Sequence, residues 1–197
     1  MQQVLLKKIT PNTVHLWRLS SHQCVDAMRQ ILSCYVGPIL PAIKKSAYGK
    51  PYLAESDLEF NLSHSGDYAL LAITRGQAVG VDIEHMCRKT KDFLAIAKRF
   101  FTAEECSAIQ FADDPHAAFF RCWVRKEAFI KATGLGLSFG LSNVVVSVDV
   151  KAQLINVNDD TKQIHQWTLR DITLDFPDYI AAVVVFGKID SVVWQSA

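Results

Sequence analysis

The chain has 197 residues, of which 50% are hydrophobic and 21% are charged. These proportions are typical of a soluble protein that is long enough to bury a core as one large domain or two small ones. Its 21 basic and 20 acidic side chains give a net charge of +1, which argues against binding to nucleic acid or a membrane through overall charge.

The cysteines and the N-terminal segment bear on the compartment. The five cysteines are Cys24, Cys34, Cys87, Cys106 and Cys122, an odd number without the spacing of a zinc site. We interpret them as reduced thiols. The segment MQQVLLKKITP has no apolar stretch suited to a signal peptide, and no segment approaches the ~20 apolar residues of a membrane span. We therefore expect a cytoplasmic protein with no membrane association.

In chain order, the first half is predicted to begin with a strand and a helix. The predicted elements are a strand over 13–19, a helix over about 22–35 and strands over 69–74 and 79–84. Gly37-Pro38 ends the helix, and a long irregular stretch is expected before residue 69. The turn around Gly76 suggests that the strands on either side of it form a hairpin.

The second half is predicted to contain three helices followed by strands. A helical pattern covers 92–101, and TAEE over 102–105 has the form of a capping box that opens the next helix. Asp114-Pro115 is typical of the start of a long helix, which runs to about residue 133 and is ended by Gly134. Five strands are then predicted, over 144–150, 154–157, 164–169, 179–186 and 191–194.

This order of elements predicts an α+β fold with antiparallel sheets. Residues 1–100 and 101–197 would each place helices against a sheet. Two pseudo-symmetric halves and one continuous α+β domain both fit that order, and no residue-level repeat decides between them.

Two acids in VGVDIEHM are candidates for a metal site. Asp82 and Glu84 are two apart on a predicted strand, so both side chains point to the same side of the pleat. Burial of both without partners would be too costly, so they must face water or a cation. A solvated strand end accounts for the pair as well as a cation does, unless a third carboxylate joins them as a ligand of Mg²⁺.

Glu127 is the candidate third carboxylate. It lies four residues before Lys131 in WVRKEAFIK, so both side chains occupy one face of the predicted helix. A surface salt bridge is the common explanation for such a pair. Many of the surrounding residues are aromatic, however, so much of this helix must be buried, and a charged pair on a largely buried helix favours a cleft.

Two upstream segments could hold an anion. Lys50 in YGKPY stands between Gly49 and Pro51, in a rigid turn that can fix a cation against a phosphate. Ser63 and His64 in FNLSHSGDY could also donate hydrogen bonds to a phosphate. Taken alone, each of these residues is more often solvated or structural.

In combination, these segments resemble a known family. YGKPY, FNLSHSGDYALLAI, VGVDIE, AKRFFTAEE and WVRKEAFIKATGLGLS, in this order, are similar to the 4′-phosphopantetheinyl transferases of the surfactin-synthetase-activating type. The resemblance covers about residues 22–148. It implies two pseudo-symmetric α+β halves with the active site in the cleft between them. It also implies transfer of the phosphopantetheine arm of coenzyme A to a serine of an apo carrier protein, with release of adenosine 3′,5′-bisphosphate.

The resemblance also implies roles for the candidate residues. Asp82, Glu84 and Glu127 would bind Mg²⁺ with the pyrophosphate of coenzyme A, and Glu127 would take the serine proton directly or through a water. Lys131 would stabilise the leaving group. The residues expected to bind coenzyme A are Lys50, Pro51, Ser63, His64, Lys131 and Arg29. Arg29 is included because the basic residues that relatives carry around the first helix are missing here.

The expected partner is an acyl or peptidyl carrier protein that presents an acidic helix to a monomeric enzyme. Arg88 and Lys89, between Met86 and Phe93, offer a basic rim around an apolar centre that would suit such docking, although a solvated basic loop fits them nearly as well. Two other functions remain open, a Mg²⁺-dependent phosphohydrolase acting on coenzyme A and a non-catalytic module that binds coenzyme A or a carrier protein.

Overall fold

The computed structural model describes residues 6–87, 92–158 and 163–196. Its helices are α1 (Cys24–Val36), α2 (Phe93–Phe100), α3 (Ala103–Gln110) and α4 (Pro115–Thr133). Its strands are β1 (Thr13–Ser20), β2 (Ile43–Lys45), β3 (Pro51–Leu53), β4 (Leu58–Ser65), β5 (Tyr68–Arg75), β6 (Val79–His85), β7 (Val144–Val146), β8 (Leu154–Val157), β9 (Trp167–Asp171), β10 (Tyr179–Phe186) and β11 (Ser191–Gln195). The predicted α+β class with antiparallel sheets is confirmed.

Two larger sheets and two small pairs make up the strand architecture. One sheet has the order β11-β1-β5-β4, in which β1 and β11 are parallel and the other neighbours antiparallel. The other sheet, β6-β10-β9, is antiparallel throughout. Each of the two larger sheets combines strands from both sides of residue 100. In one sheet β11 pairs with β1, and in the other β6 pairs with β10. The division of the chain into 1–100 and 101–197 stays a prediction.

The helix ends follow the local signals in the sequence. The side chain of Thr102 accepts a hydrogen bond from the Glu105 amide, and Glu105 accepts one from the Thr102 amide, which completes the predicted capping box. Asp114 accepts from the Ala117 amide at the start of α4. The helix ends at Gly134 in the left-handed conformation, with φ of 68°.

The predicted hairpin around Gly76 is wrong. Both β5 and β6 exist, but β5 pairs with β1 on one edge and with β4 on the other, so neither edge is left for β6. Strand β6 instead pairs with β10 of the other sheet. The hairpin that does form joins β4 to β5, through a turn at Gly66 and Asp67, and β4 lies within the stretch predicted to be irregular.

The predicted strand over 144–150 stops at Val146. The carbonyl oxygens of Ser147 and Asp149 accept hydrogen bonds from the fully buried guanidinium of Arg125, at 2.6 and 2.9 Å. Because these carbonyl groups are directed at a side chain of α4, the segment after Val146 leaves the strand conformation.

Helix α4 lies directly against β6. A β-carbon on Gly80 would fall 2.1 Å from the carbonyl oxygen of Ala128 and 2.2 Å from the amide nitrogen of Ala132, so only glycine allows this approach. The contact places Glu127 and Lys131 of the helix beside the acidic residues of the strand.

A buried ion pair fixes the other side of α4. The ammonium of Lys126 is fully buried and lies 2.6 Å from Oε2 of Glu105, and it also donates to the carbonyl oxygens of Leu141 and Val144. A buried charge is tolerated when it is paired and hydrogen-bonded in this way. Within the described part of the chain, no helix is long and apolar enough to cross a membrane.

Candidate active site

Strand β6 presents two buried acids to the neighbouring strand β4. Asp82 and Glu84 are only 4% and 8% exposed, so they do not form a solvated strand end. The hydroxyl of Ser63 donates to Oδ1 of Asp82, and the hydroxyl of Ser65 donates to Oε2 of Glu84, each at 2.8 Å. The two carboxylates are therefore directed toward polar partners on one side of the pleat.

Lys131 joins the helix to this strand. Its Nζ lies 2.5 Å from Oδ1 of Asp82 and 2.8 Å from Oγ of Ser63, while its side chain keeps 28% of its surface exposed. Lys131 thus forms its ion pair with Asp82 rather than with Glu127, four residues earlier on the same helix. The ammonium offsets one negative charge of the site and lies at its boundary with solvent.

Glu127 completes the group of acids. It is 8% exposed, and burial together with the charge of Asp82 raises the pKa of its carboxyl to about 7, with a smaller contribution in the same direction from Glu84. The charge of Lys131 opposes this increase in pKa. A carboxyl group whose pKa lies near neutrality is suited to accept a proton during a reaction.

The acids fit Mg²⁺ in their chemistry. Oδ2 of Asp82 is buried and has no hydrogen-bond partner, and carboxylate oxygens are the ligands that Mg²⁺ prefers. Over residues 6–87, 92–158 and 163–196, however, no three acidic, histidine or cysteine side chains are gathered closely enough to hold a metal ion. The ammonium of Lys131 occupies the other oxygen of Asp82.

A cavity of about 270 Å³ opens beside these residues. Lys50 and Pro51 line one wall, and Glu127 and Lys131 of α4 line another. The ammonium of Lys50 donates to the carbonyl oxygens of Val79 and Ala132, at 3.0 and 2.9 Å, and burial lowers its pKa. Lys50 therefore ties the turn before β3 to the end of α4 and shapes this cavity.

Some predicted residues lie apart from the acids. His64 is exposed and points away from Ser63, because consecutive residues of a strand face opposite sides. Arg29 is exposed on α1. Met86 and Phe93 are partly buried and pack against the core around α4. Arg88 and Lys89 lie outside the described residues.

Sequence reasoning missed two residues of β4 that contact β6. Ser65 binds Glu84, and Oδ1 of Asn61 accepts a hydrogen bond from the amide of Val81 at 2.8 Å. The signal was present as polar residues at alternate positions 61, 63 and 65, which is the period of one strand face.

Comparison with known proteins identifies a family and several relatives to which the chain is similar. The model of the 4′-phosphopantetheinyl transferase superfamily matches residues 78–184, which include Asp82, Glu84, Glu127 and Lys131. The chain is 31% identical to an L-aminoadipate-semialdehyde dehydrogenase-phosphopantetheinyl transferase of Xenopus laevis, over 78% of its own length and 57% of that protein.

Two bacterial proteins are more similar over shorter segments. The chain is 42% identical to the 4′-phosphopantetheinyl transferase HetI of Nostoc, over 56% of its length and 50% of that protein. It is 44% identical to the 4′-phosphopantetheinyl transferase psf-1 of Bacillus pumilus, over 53% of its length and 45% of that protein. The chain thus spans about half the length of the relatives that it matches.

Proposed function

The chain belongs to the 4′-phosphopantetheinyl transferase superfamily, and on that premise we propose that it transfers the 4′-phosphopantetheine moiety of coenzyme A to a serine of an apo acyl or peptidyl carrier protein. The reaction would depend on Mg²⁺ and release adenosine 3′,5′-bisphosphate. The observation that carries this proposal is the buried oxygen Oδ2 of Asp82, which lacks a hydrogen-bond partner beside Glu127 and Lys131. A buried carboxylate oxygen without a donor is suited to a cation.

The metal-binding residues in this proposal are Asp82, Glu84 and Glu127. When bound, Mg²⁺ would neutralise charge on the pyrophosphate of coenzyme A. Ser63 and Lys131 hold Oδ1 of Asp82, which leaves Oδ2 for the cation. Because all three acids are more than 90% buried, their negative charges would attract the cation with little screening by water.

The chemical step would use Glu127 and Lys131. The serine oxygen of the carrier protein forms a bond to the β-phosphorus as the bond from that phosphorus to the bridging oxygen breaks. Glu127 accepts the serine proton, directly or through one water, and its pKa of about 7 suits this role. Lys131, which is partly exposed, stabilises the negative charge that develops on the leaving adenosine 3′,5′-bisphosphate.

The nucleotide end of coenzyme A would lie toward the turn before β3. Lys50 and Pro51 form part of the cavity wall that continues to Glu127 and Lys131. Ser63 lies beside Lys131 within the group of acids. His64 and Arg29 are exposed, so they would contact the phosphates from the solvent side of the site. We therefore keep these five residues as the proposed contacts of coenzyme A, with Lys131 at the pyrophosphate.

The carrier protein would dock beside the end of β6. Met86 and Phe93 would supply the apolar contact, and Arg88 and Lys89 the positive charge that attracts an acidic helix. The finer assignment to the surfactin-synthetase-activating type, action as a monomer and a cytoplasmic location are also parts of the proposal. The similarity to the Bacillus pumilus protein supports the first of these.

The direct test is the intact mass of an apo carrier protein after incubation with this protein, coenzyme A and Mg²⁺. We expect a gain of one phosphopantetheine that is abolished by a chelator and by Asp82→Asn. No gain with any class of carrier, while coenzyme A still binds, would favour a non-catalytic module. Cleavage of coenzyme A without a carrier would favour a phosphohydrolase.

A further inference from the structure

The edge of β6 that faces β4 is bound by side chains instead of by a backbone ladder. Within the described strands, the backbone partner of β6 is β10, on its other edge. Toward β4, the amide of Val81 donates to Oδ1 of Asn61 at 2.8 Å, and the amide of His85 donates to Oγ of Ser65 at 3.0 Å. Alternate residues of β4 thus satisfy the amide groups of a strand that belongs to another sheet.

The same face of β4 provides one hydroxyl for each acid of β6. Ser63 donates to Asp82, and Ser65 donates to Glu84, both at 2.8 Å. The serines are two residues apart and so are the acids, so the two pairs repeat with the period of the strands.

The direction of the Ser65 hydroxyl is determined by its neighbours. A serine hydroxyl has one hydrogen to donate and lone pairs that can accept. Because the amide of His85 can only donate, it occupies a lone pair of Ser65, and the hydroxyl hydrogen is directed at Oε2 of Glu84. Ser65 and Glu84 are each 8% exposed, so little water competes for these bonds.

We infer that Ser65 is a positioning residue, which holds the carboxylate of Glu84 in the orientation that binds Mg²⁺ beside Asp82. The inference rests on the proposed function and adds a residue that acts only through Glu84. Ser65 differs from Ser63 in this respect. Ser63 also accepts a hydrogen bond from Lys131, so its substitution would also affect the residue proposed to stabilise the leaving group. Ser65 holds the carboxylate of Glu84 through a neutral hydroxyl and adds no positive charge to the site.

The test measures metal binding without turnover. Mn²⁺ is titrated into the protein saturated with coenzyme A, and free Mn²⁺ is followed by electron paramagnetic resonance, with coenzyme A alone as the blank. Loss of a residue that orients a metal ligand typically weakens metal binding 10–100-fold, so we expect Ser65→Ala to weaken Mn²⁺ binding by about tenfold or more. Ser65→Thr keeps the hydroxyl and should bind Mn²⁺ within about threefold of the wild type.

A matched control separates positioning from general stabilisation of β6. Asn61→Ala removes the hydrogen bond to Val81 on the same edge but touches neither acid. We expect it to lower thermal stability about as much as Ser65→Ala does, with a smaller effect on Mn²⁺ affinity. If Ser65→Ala does not fold, Ser65→Cys fills a similar volume with a weaker donor and should still bind Mn²⁺ at least about threefold more weakly than the wild type.

The outcomes distinguish this inference from the proposed function. A wild type that binds no Mn²⁺ in its complex with coenzyme A would overturn the metal site and, with it, the role of Ser65. If the wild type and the Ser65→Ala and Ser65→Cys variants bind Mn²⁺ with equal affinity, the role of Ser65 would be overturned and the proposed metal site would stand. Equal losses of Mn²⁺ affinity in Asn61→Ala and Ser65→Ala would show that Ser65 acts only by stabilising the strand.

Discussion

A β-carbon on Gly80 would lie 2.2 Å from the amide nitrogen of Ala132, so the backbones of β6 and α4 are in direct contact at this point. The neighbouring atoms are backbone atoms, which cannot move aside as the end of a flexible side chain can. We expect Gly80→Ala to push the helix from the strand, to lower the free energy of unfolding by about 3 kcal/mol and to abolish transfer. Urea denaturation and the carrier-mass assay measure the two effects.

Gly76→Ala is the control for this substitution. Gly76 has a positive φ of 68°, but a β-carbon added to it would meet no atom of another part of the chain within 4 Å, so the substitution strains only the turn. We expect a loss of about 1 kcal/mol and unchanged transfer activity. Equal effects of the two substitutions on stability and transfer would contradict the close-contact explanation.

The pKa of Glu127 predicts how stability changes with pH. Its pKa rises from 4.5 to about 7 on folding, so in this interval the folded protein holds a proton that the unfolded chain has released. The contribution of Glu127 to stability is complete below pH 4.5 and is lost as the pH rises through about 7. We expect Glu127→Gln to exceed the wild type in stability at about pH 8 without metal, by on the order of 2–3 kcal/mol, with a smaller difference at about pH 5.

Urea denaturation at both pH values, with a chelator, measures this difference. Addition of Mg²⁺ at the higher pH should stabilise the wild type and leave Glu127→Gln nearly unchanged, because the variant lacks one of the proposed ligands. Stability curves that run parallel from acid to alkaline pH would contradict the raised pKa.

Removal of one partner of the buried pair of Lys126 and Glu105 should destabilise the protein strongly. Lys126→Met leaves a buried carboxylate without its cation, and we expect a loss of about 3–5 kcal/mol. The double variant Lys126→Met with Glu105→Met should recover part of that loss. The control is Arg75→Met, which breaks an exposed pair with Asp57 and should change stability by less than about 1 kcal/mol. A similar small loss in Lys126→Met would refute the prediction.

The hydrogen bonds from Lys50 to two carbonyl oxygens should maintain the shape of the cavity. Lys50→Met removes the donor to the carbonyl oxygens of Val79 and Ala132, so we expect a loss of about 1–3 kcal/mol in the free energy of unfolding. The Michaelis constant should rise by the same factor for coenzyme A and for 3′-dephospho-coenzyme A, because the shape of the cavity changes for both. A rise for coenzyme A alone would instead show that Lys50 binds the 3′-phosphate directly.

Charge reversal tests the proposed docking site. Arg88→Glu combined with Lys89→Glu should raise the Michaelis constant for the carrier protein by about tenfold and leave that for coenzyme A unchanged, because the substitution replaces attraction of an acidic helix by repulsion. Lys151→Glu combined with Lys188→Glu changes the net charge equally at two other positions and serves as the control. Equal effects on both substrates, or from both pairs of substitutions, would argue against docking at this site.

The sequence predicted the helices well because their ends depend on neighbouring residues. Thr102 with Glu105, Asp114 and Gly134 each act within one turn of the helix that they begin or end. Strand pairing depends on distant segments, and the turn at Gly76 was not sufficient to predict it. The second part of β4 was not predicted as a strand, because Ser63 and Ser65 face β6 and the segment therefore resembles an irregular loop.

The spacing of residues predicted which side chains would be close, but not how they pair. The two acids of β6 do share a face, as their separation by two residues requires. The partner of Lys131 depends instead on the distance between α4 and β6, which is set by Gly80, and so Asp82 rather than Glu127 receives the ammonium. A local pattern on one helix carries no information about that distance.

The parallel pairing of β1 with β11 affects how the protein responds to a pulling force. Thr13 lies opposite Ser191 and Trp17 opposite Gln195, so a force between the start of β1 and the end of β11 acts along both strands. The hydrogen bonds between the two strands would then be loaded in shear and would have to break together. A force across a hairpin would instead break them one after another. We expect the sheet to resist extension along this direction more strongly than extension across the β4–β5 hairpin.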